Sequence, residues 1–326
     1  MNLTRRAALL SGLCTMMGRA GAQGAWPAGK AVRMIVPFAA GGATDVAARV
    51  LAQALAESLK TSFVVENRAG GHGFVGITEV VKAQPDGYTL LMASIGTIGI
   101  NPGLHAKLPY DANADFEPIG VITRTPVVLV VNPKNLPVSS IPELITYLKS
   151  RPGKVNYASA GAGGSSHLIP EYFKHLTGTS MMHVPYKGES AALADVMGGQ
   201  VDLMFSTLLN AVPHLKSGRL RLLAVSTGQR LQEFPDVPTM AEGLLQKDFE
   251  VVAWQALYAP ANTPPEIVKR LAAAVESALK APAMVKRMAE LGALPGQASP
   301  EHLAKFQRSE QERWKSVIQV ANIKAD

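Results

Sequence analysis

The stretch Val36–Leu55, VPFAAGGATDVAARVLAQAL, decides the fold. An apolar run ends, two glycines and a Thr-Asp pair follow, and an alanine-rich segment begins in which Val46, Val50, Leu51, Leu55 and Leu59 recur at helical spacing. A strand, a glycine turn and a helix make the repeating unit of a parallel sheet. At the carboxyl edge of such a sheet the helix N-termini present unpaired N–H groups and a partial positive charge, so ligands bind there. Gly41 and Gly42 let the backbone approach a ligand, and Thr44 or Asp45 is expected to cap the helix.

The same unit recurs along the chain. Apolar, β-branched runs stand at AVRMIVPF, SFVVEN, YTLLMAS, PVVLVVNP, KVNYASA, MMHVPY, VDLMFS, LRLLAVS and VVAWQALYAP, with helical periodicity between them. Thr263-Pro-Pro-Glu266 and Ser140-Ile-Pro-Glu143 read as capping boxes, and Pro264 to Asn322 reads as helical. So many strands exceed one small sheet. Pro-rich passages at Thr125-Pro126 and Pro235 to Glu242 suggest that the chain leaves a first domain near residue 124 and returns near 251.

Residues 1–22 read as an export signal. A basic start with Arg5 and Arg6, a short apolar run from Ala7 to Met17 and small residues at Ala20 and Ala22 predict cleavage after Ala22, by Sec or twin-arginine export. Leu13 is too large for a lipobox before Cys14, the one cysteine, so the mature chain has neither thiol chemistry nor disulfides. The formal charge is +7, and Arg5, Arg6 and Arg19 contribute 3 of it in a segment without acids, which leaves +4. The remaining cations are scattered among acids on helices, so no nucleic-acid partner is expected.

Two further turns are anion-friendly: Ala158–Leu168, ASAGAGGSSHL, with Gly161, Gly163, Gly164, Ser165 and Ser166, and the segment with Ser94 and Thr97. Competing chemistries fail on spacing. Gly71–Gly76, GHGFVG, matches a dinucleotide turn, but the next strand ends LLMAS with no acid for a ribose. The seven histidines form no metal-ligand motif, and Ser165, Ser166 and His167 lack the G-x-S-x-G context of a nucleophile. No catalytic set, metal or cofactor is expected. An exported α/β enzyme acting on a small carboxylic acid is the alternative that the residues leave open.

The ordered motifs VPFAAGGATDVAAR, VVENRAGGHGFVG, QPDGYTLLMAS, LPYDANADFEPIG, YASAGAGGSSHL, HVPYKG, GGQVDLMF, PDVPTMAEG and APANTP resemble the Bug family, the TctC-like periplasmic receptors of tripartite tricarboxylate transporters, across essentially the whole mature chain. The resemblance implies a two-domain α/β periplasmic-binding-protein fold, Venus flytrap and type II-like, with a ligand cleft between domain 1 (23–124 and 251–326) and domain 2 (125–250). It implies a non-catalytic, monomeric receptor that takes a small carboxylate, di- or aromatic, to a membrane permease and that a sensor kinase can also read. Carried over by motif, the first ligand turn runs from Phe38 and Ala39 through Gly41, Gly42 and Thr44 to Asp45. The second runs from Ser159 through Gly161, Gly163, Ser165 and Ser166 to His167, with Ser94, Thr97, Tyr186 and Lys187 elsewhere in the cleft. Many members carry Asp where Ser206 stands, an acid that serves a ligand ammonium, so Ser206 predicts a ligand without an amine. AWQALYAP replaces the commoner AWFGLLAP.

Overall fold

The computed structural model describes residues 26–215, 217–245 and 249–324, so the export signal, with Cys14, lies outside the described residues. The chain folds as β1 (Val32–Val36), α1 (Ala43–Leu59), β2 (Phe63–Asn67), α2 (Phe74–Val81), β3 (Thr89–Ser94), α3 (Asn101–Leu104), β4 (Phe116–Val131), α4 (Ile141–Ser150), β5 (Asn156–Ser159), α5 (Ser165–Thr177), β6 (Met182–Pro185) and α6 (Glu189–Gly198). It continues as β7 (Leu203–Thr207), α7 (Leu208–Leu215), β8 (Arg221–Val225), α8 (Met240–Leu244), β9 (Val252–Pro260), α9 (Pro265–Lys280), α10 (Pro282–Glu290), β10 (Leu294–Pro295) and α11 (Pro300–Val320). All nine apolar runs form strands. A π-turn at Ile95–Ile100 joins β3 to α3.

The strand order is β2-β1-β3-β9-β4-β7-β5-β6, with β10 and β8 also on β4. β1 is parallel to β2 and β3, and β5 is parallel to β6 and β7. The passage at Thr125-Pro126, where the chain is expected to leave the first domain, is the middle of one continuous strand. Residues 116–126 of β4 pair antiparallel with β9, ending at Pro126↔Val252. Residues 127–131 pair with β7, beginning at Val127↔Thr207, and with β8. Pro126, which brings no N–H to the ladder, stands where the strand changes partners, and the next N–H, from Val127, is taken by the Ser226 hydroxyl at 3.0 Å.

Helices cover both faces, as a parallel sheet requires. Val32, Met34 and Val36 pack with Ala48, Leu51 and Leu55 of α1 and with Leu271 and Val275 of α9. On the far half Val128, Val130 and Met204 pack with Ala192, Leu193 and Val196 of α6. α11 buries Leu303, Gln307, Glu310, Trp314 and Ile318 along one stripe, and its polar members are paired: Trp254 Nε1 donates to Glu310 at 3.0 Å and the Tyr258 hydroxyl to Gln307 at 2.9 Å. Of the two expected capping boxes, Ser140 caps α4 by accepting from Glu143 N at 3.3 Å. Thr263 does not cap α9, because its hydroxyl donates to Pro260 O and Pro264 takes the N-cap position.

Candidate functional site

A cavity of about 570 Å³ opens where the carboxyl ends of β1, β2, β3, β5, β6 and β7 meet. Three helices point their N-termini at it: α1, α5 and α6, with Gly42, Gly164 and Gly188 at the N-cap and no side-chain cap on any of them. Ser140, Thr239 and Ser299 cap α4, α8 and α11 with their side chains, whereas α2, α9 and α10 also lack a side-chain cap.

The glycines at two of these caps are not required by the backbone. Gly42 has φ −82° and ψ 168°, and Gly164 has φ −88° and ψ 173°, conformations open to any residue. A Cβ added at Gly42 would come no closer than 3.9 Å to the Ala39 carbonyl, and at Gly164 no closer than 3.8 Å to that of Gly161. Ser or Asp at either place would stabilise its helix by a few tenths of a kcal/mol. What glycine provides there is access to the first-turn N–H groups. Gly163, at φ 79°, is different and does need glycine's left-handed freedom.

Side chains hold each turn from behind. In the first, Asp45 does not cap α1 but accepts from Gly41 N at 2.9 Å, from Asn67 Nδ2 at 3.0 Å and from Arg49 Nε at 3.0 Å. Burial would raise the Asp45 carboxyl, but these hydrogen bonds outweigh it and hold the group below the usual carboxylate range. Thr44 does not cap the helix either. In the second turn Ala160 N donates to Ser166 Oγ at 3.0 Å, Gly161 N to Ser159 Oγ at 3.2 Å and Gly163 N to His167 Nδ1 at 3.1 Å. Ser159 Oγ in turn meets His183 Nε2 at 2.6 Å, and the His167 and His183 rings stack at 4.1 Å. His167 Nδ1 is therefore committed to the backbone, an arrangement unlike a nucleophile-activating base.

Of the residues expected from sequence, Phe38, Ala39, Gly42, Thr44, Asp45, Ser94, Gly161, Gly163, Ser165, Ser166, Tyr186 and Lys187 line the cavity. Gly41, Thr97, Ser159, His167 and Ser206 lie outside the lining. Thr97 is sealed in a reciprocal cap with Ser94, Ser159 and His167 brace the turn, and Ser206 is fully buried with its hydroxyl on Glu189. Tyr186 donates to Asp195 at 2.7 Å, and burial followed by that bond pushes its hydroxyl up to about 12.

The lining also holds residues that are not among the expected site residues: Gly70–Gly73, Asn101, Glu189, Thr207, Ala253 and Gln255. Glu189 opens α6 directly after Gly188, so the strand-glycine-helix rule could have found it. Its buried carboxylate accepts from Ser206 Oγ at 2.7 Å, Thr207 N at 2.5 Å, Thr207 Oγ1 at 3.0 Å and Asn210 Nδ2 at 2.6 Å. Desolvation pushes this carboxyl above the usual range, with the hydrogen bonds pulling the other way. Two contacts span the cavity mouth: His72 Nδ1 to Ala162 O at 3.0 Å and the Ser190 hydroxyl to Gly41 O at 3.1 Å. Among the described residues no cluster of His, Cys, Asp and Glu is placed to hold a metal, and no helix is long and apolar enough to cross a membrane.

The fold is shared with solved structures. R. palustris Rpa4515 with adipate superposes with a TM-score of 0.88 at 36% identity, covering 92% of this chain and 99% of that one. MatC (Rpa3494) from Rhodopseudomonas palustris with bound malate superposes with a TM-score of 0.84 at 36% identity, covering 88% and 98%. Protein BugT of Bordetella pertussis is 38% identical over 327 residues, 99% of both chains. Residues 47–323 match TctC, the tripartite tricarboxylate transporter family receptor, and with that extent of match the chain belongs to the TctC family of Bug-type solute-binding receptors.

Proposed function

We propose that the protein is a periplasmic receptor that captures a small carboxylate and delivers it to the membrane permease of a tripartite transporter. The observation that carries this reading is the pair of uncapped N-termini at Gly42 and Gly164, where a side chain would fit and would stabilise the helix but would take the N–H groups a carboxylate needs. The family, and the adipate and malate bound by two relatives, support the same ligand class.

Within that class we favour di- and aromatic carboxylates without an ammonium. A ligand ammonium loses hydration in the cleft and needs a carboxylate with free acceptor capacity. The lining has two carboxylates, and protein donors already fill both: Arg49, Asn67 and Gly41 on Asp45, and Ser206, Thr207 and Asn210 on Glu189. The amine-free preference thus rests on saturated acceptors rather than on Ser206 as a missing charge.

The protein works as an exported monomer with two lobes, residues 23–124 with 251–326 and residues 125–250, which close on the ligand. The division of β4 between two sets of partners and the contacts across the cavity mouth support this. Calorimetry of the mature protein against mono-, di- and aromatic carboxylates and their uncharged amides tests the reading. Saturable binding of acids recovered unchanged is expected, with the amides failing to bind. Turnover of the acid, or equal affinity for acid and amide, would overturn it.

A further inference from the structure

We infer that Gln255 determines specificity by donating a hydrogen bond from its side-chain amide to a second oxygen of the ligand, beyond the carboxylate held by the helix N-termini; this rests on the carboxylate reading above. Gln255 lies in the stretch AWQALYAP on β9, the strand shared by β3 and β4, where its register partners are Ser94 and Thr123. The period of 2 along the strand places Ala253 and Gln255 on the cavity floor, while Trp254 and Tyr258 pair with α11 on the other face.

The side chain is 3% exposed, and its polar atoms divide cleanly. Thr123 Oγ1 donates to Gln255 Oε1, which pins the amide from the β4 side. Among the described residues Nε2 has no hydrogen-bond partner. It is not among the buried polar atoms sealed without a partner, and the residue lines the cavity, which is the opening available to Nε2. A carboxamide has no charge to bring to a sheet floor, and an apolar residue would cover Thr123's neighbours without leaving a donor to satisfy. A ligand lacking a second oxygen displaces water from this N–H pair and leaves it unpaired, whereas a ligand with a hydroxyl, carbonyl or second carboxylate at that depth satisfies it.

The experiment is a set of calorimetric titrations with straight-chain monocarboxylates of about four to eight carbons, the size range a cavity of this class encloses, and with their terminal hydroxy and carboxy counterparts. The mature protein is compared with Gln255→Leu, which deletes the donor, and Gln255→Glu, which keeps the shape and the oxygen that Thr123 bonds. For the wild type the best second-oxygen ligand is expected to bind about tenfold or more tightly than the monocarboxylate of equal length. In Gln255→Leu that ratio collapses to within about twofold, with monocarboxylate affinity kept. Gln255→Glu reverses the preference for dicarboxylates by placing like charges together. If Gln255→Leu does not fold cooperatively, the reversal in Gln255→Glu decides. An unaltered ratio in either folded variant, or an equal loss for all ligands, overturns the inference alone. Absence of binding by every acid, monocarboxylates included, overturns the receptor reading and this inference with it.

Discussion

The Ser206 hydroxyl donates to the Glu189 carboxylate at 2.7 Å, joining the end of β7 to the first residue of α6. Both residues are buried, so the bond sits in a medium where an unpaired partner is costly. Position 206 therefore reaches the cavity lining through Glu189, its own side chain lying outside that lining.

Ser206→Ala should lower unfolding free energy by about 1–2 kcal/mol, since it removes one donor from a buried carboxylate that keeps its others. Affinity for carboxylates should change by less than about threefold, because the hydroxyl is outside the cavity lining. Denaturant unfolding and calorimetry on the same preparations check both. A large affinity loss without a stability loss would place Ser206 on the ligand.

Glu189 makes stability depend on pH. Its carboxyl is raised in the folded protein, chiefly by desolvation, while in the unfolded chain it titrates near about 4.3. Between those two values the folded state binds more protons, so this group's contribution is fully favourable below the unfolded value and is lost as pH rises towards the folded one. Relative to Glu189→Gln, the wild type should therefore be most stable near about pH 4 and lose ground towards neutrality. Urea unfolding of both proteins at steps from about pH 4 to 8 measures the difference, and a constant difference across that range would contradict the assignment.

Gly164→Asp should trade ligand affinity for stability. The new carboxylate caps α5, adding a few tenths of a kcal/mol in the ligand-free protein, and occupies the anion position, so carboxylate affinity should fall at least about tenfold. Gly164→Ala is the control: its methyl meets nothing closer than 3.8 Å, and affinity should stay within about threefold. Loss of binding in both variants would mean that space, not the N–H groups, is what the ligand uses.

His72 and Ser190 reach across the cavity mouth to Ala162 and Gly41. If the two lobes close on a ligand, saturating carboxylate should compact the protein in small-angle scattering. The double variant His72→Ala with Ser190→Ala should then dissociate ligand about three- to tenfold faster, with little change in association. An unchanged radius of gyration on saturation would argue for one rigid body.

The sequence by itself determined the alternation of strands and helices, the glycine turns at Gly41–Gly42 and Gly161–Gly164, and the edge of the sheet at which the cavity opens. Those features are local: periodicity and turn chemistry are written in neighbouring residues. It did not disclose residues 116–125 as strand, because Pro118, Gly120 and the polar Thr123, Arg124 and Thr125 break the apolar pattern, and pairing with β9 supplies what propensity lacks. Nor did it decide which polar side chains of the turns face the cavity. Ser159 turns to His183, 24 residues away, and Ser206 to Glu189, 17 residues away, while Gln255 meets Thr123 across 132. A buried hydroxyl, amide or carboxylate takes the direction in which its partner stands, and that partner is delivered by the tertiary fold.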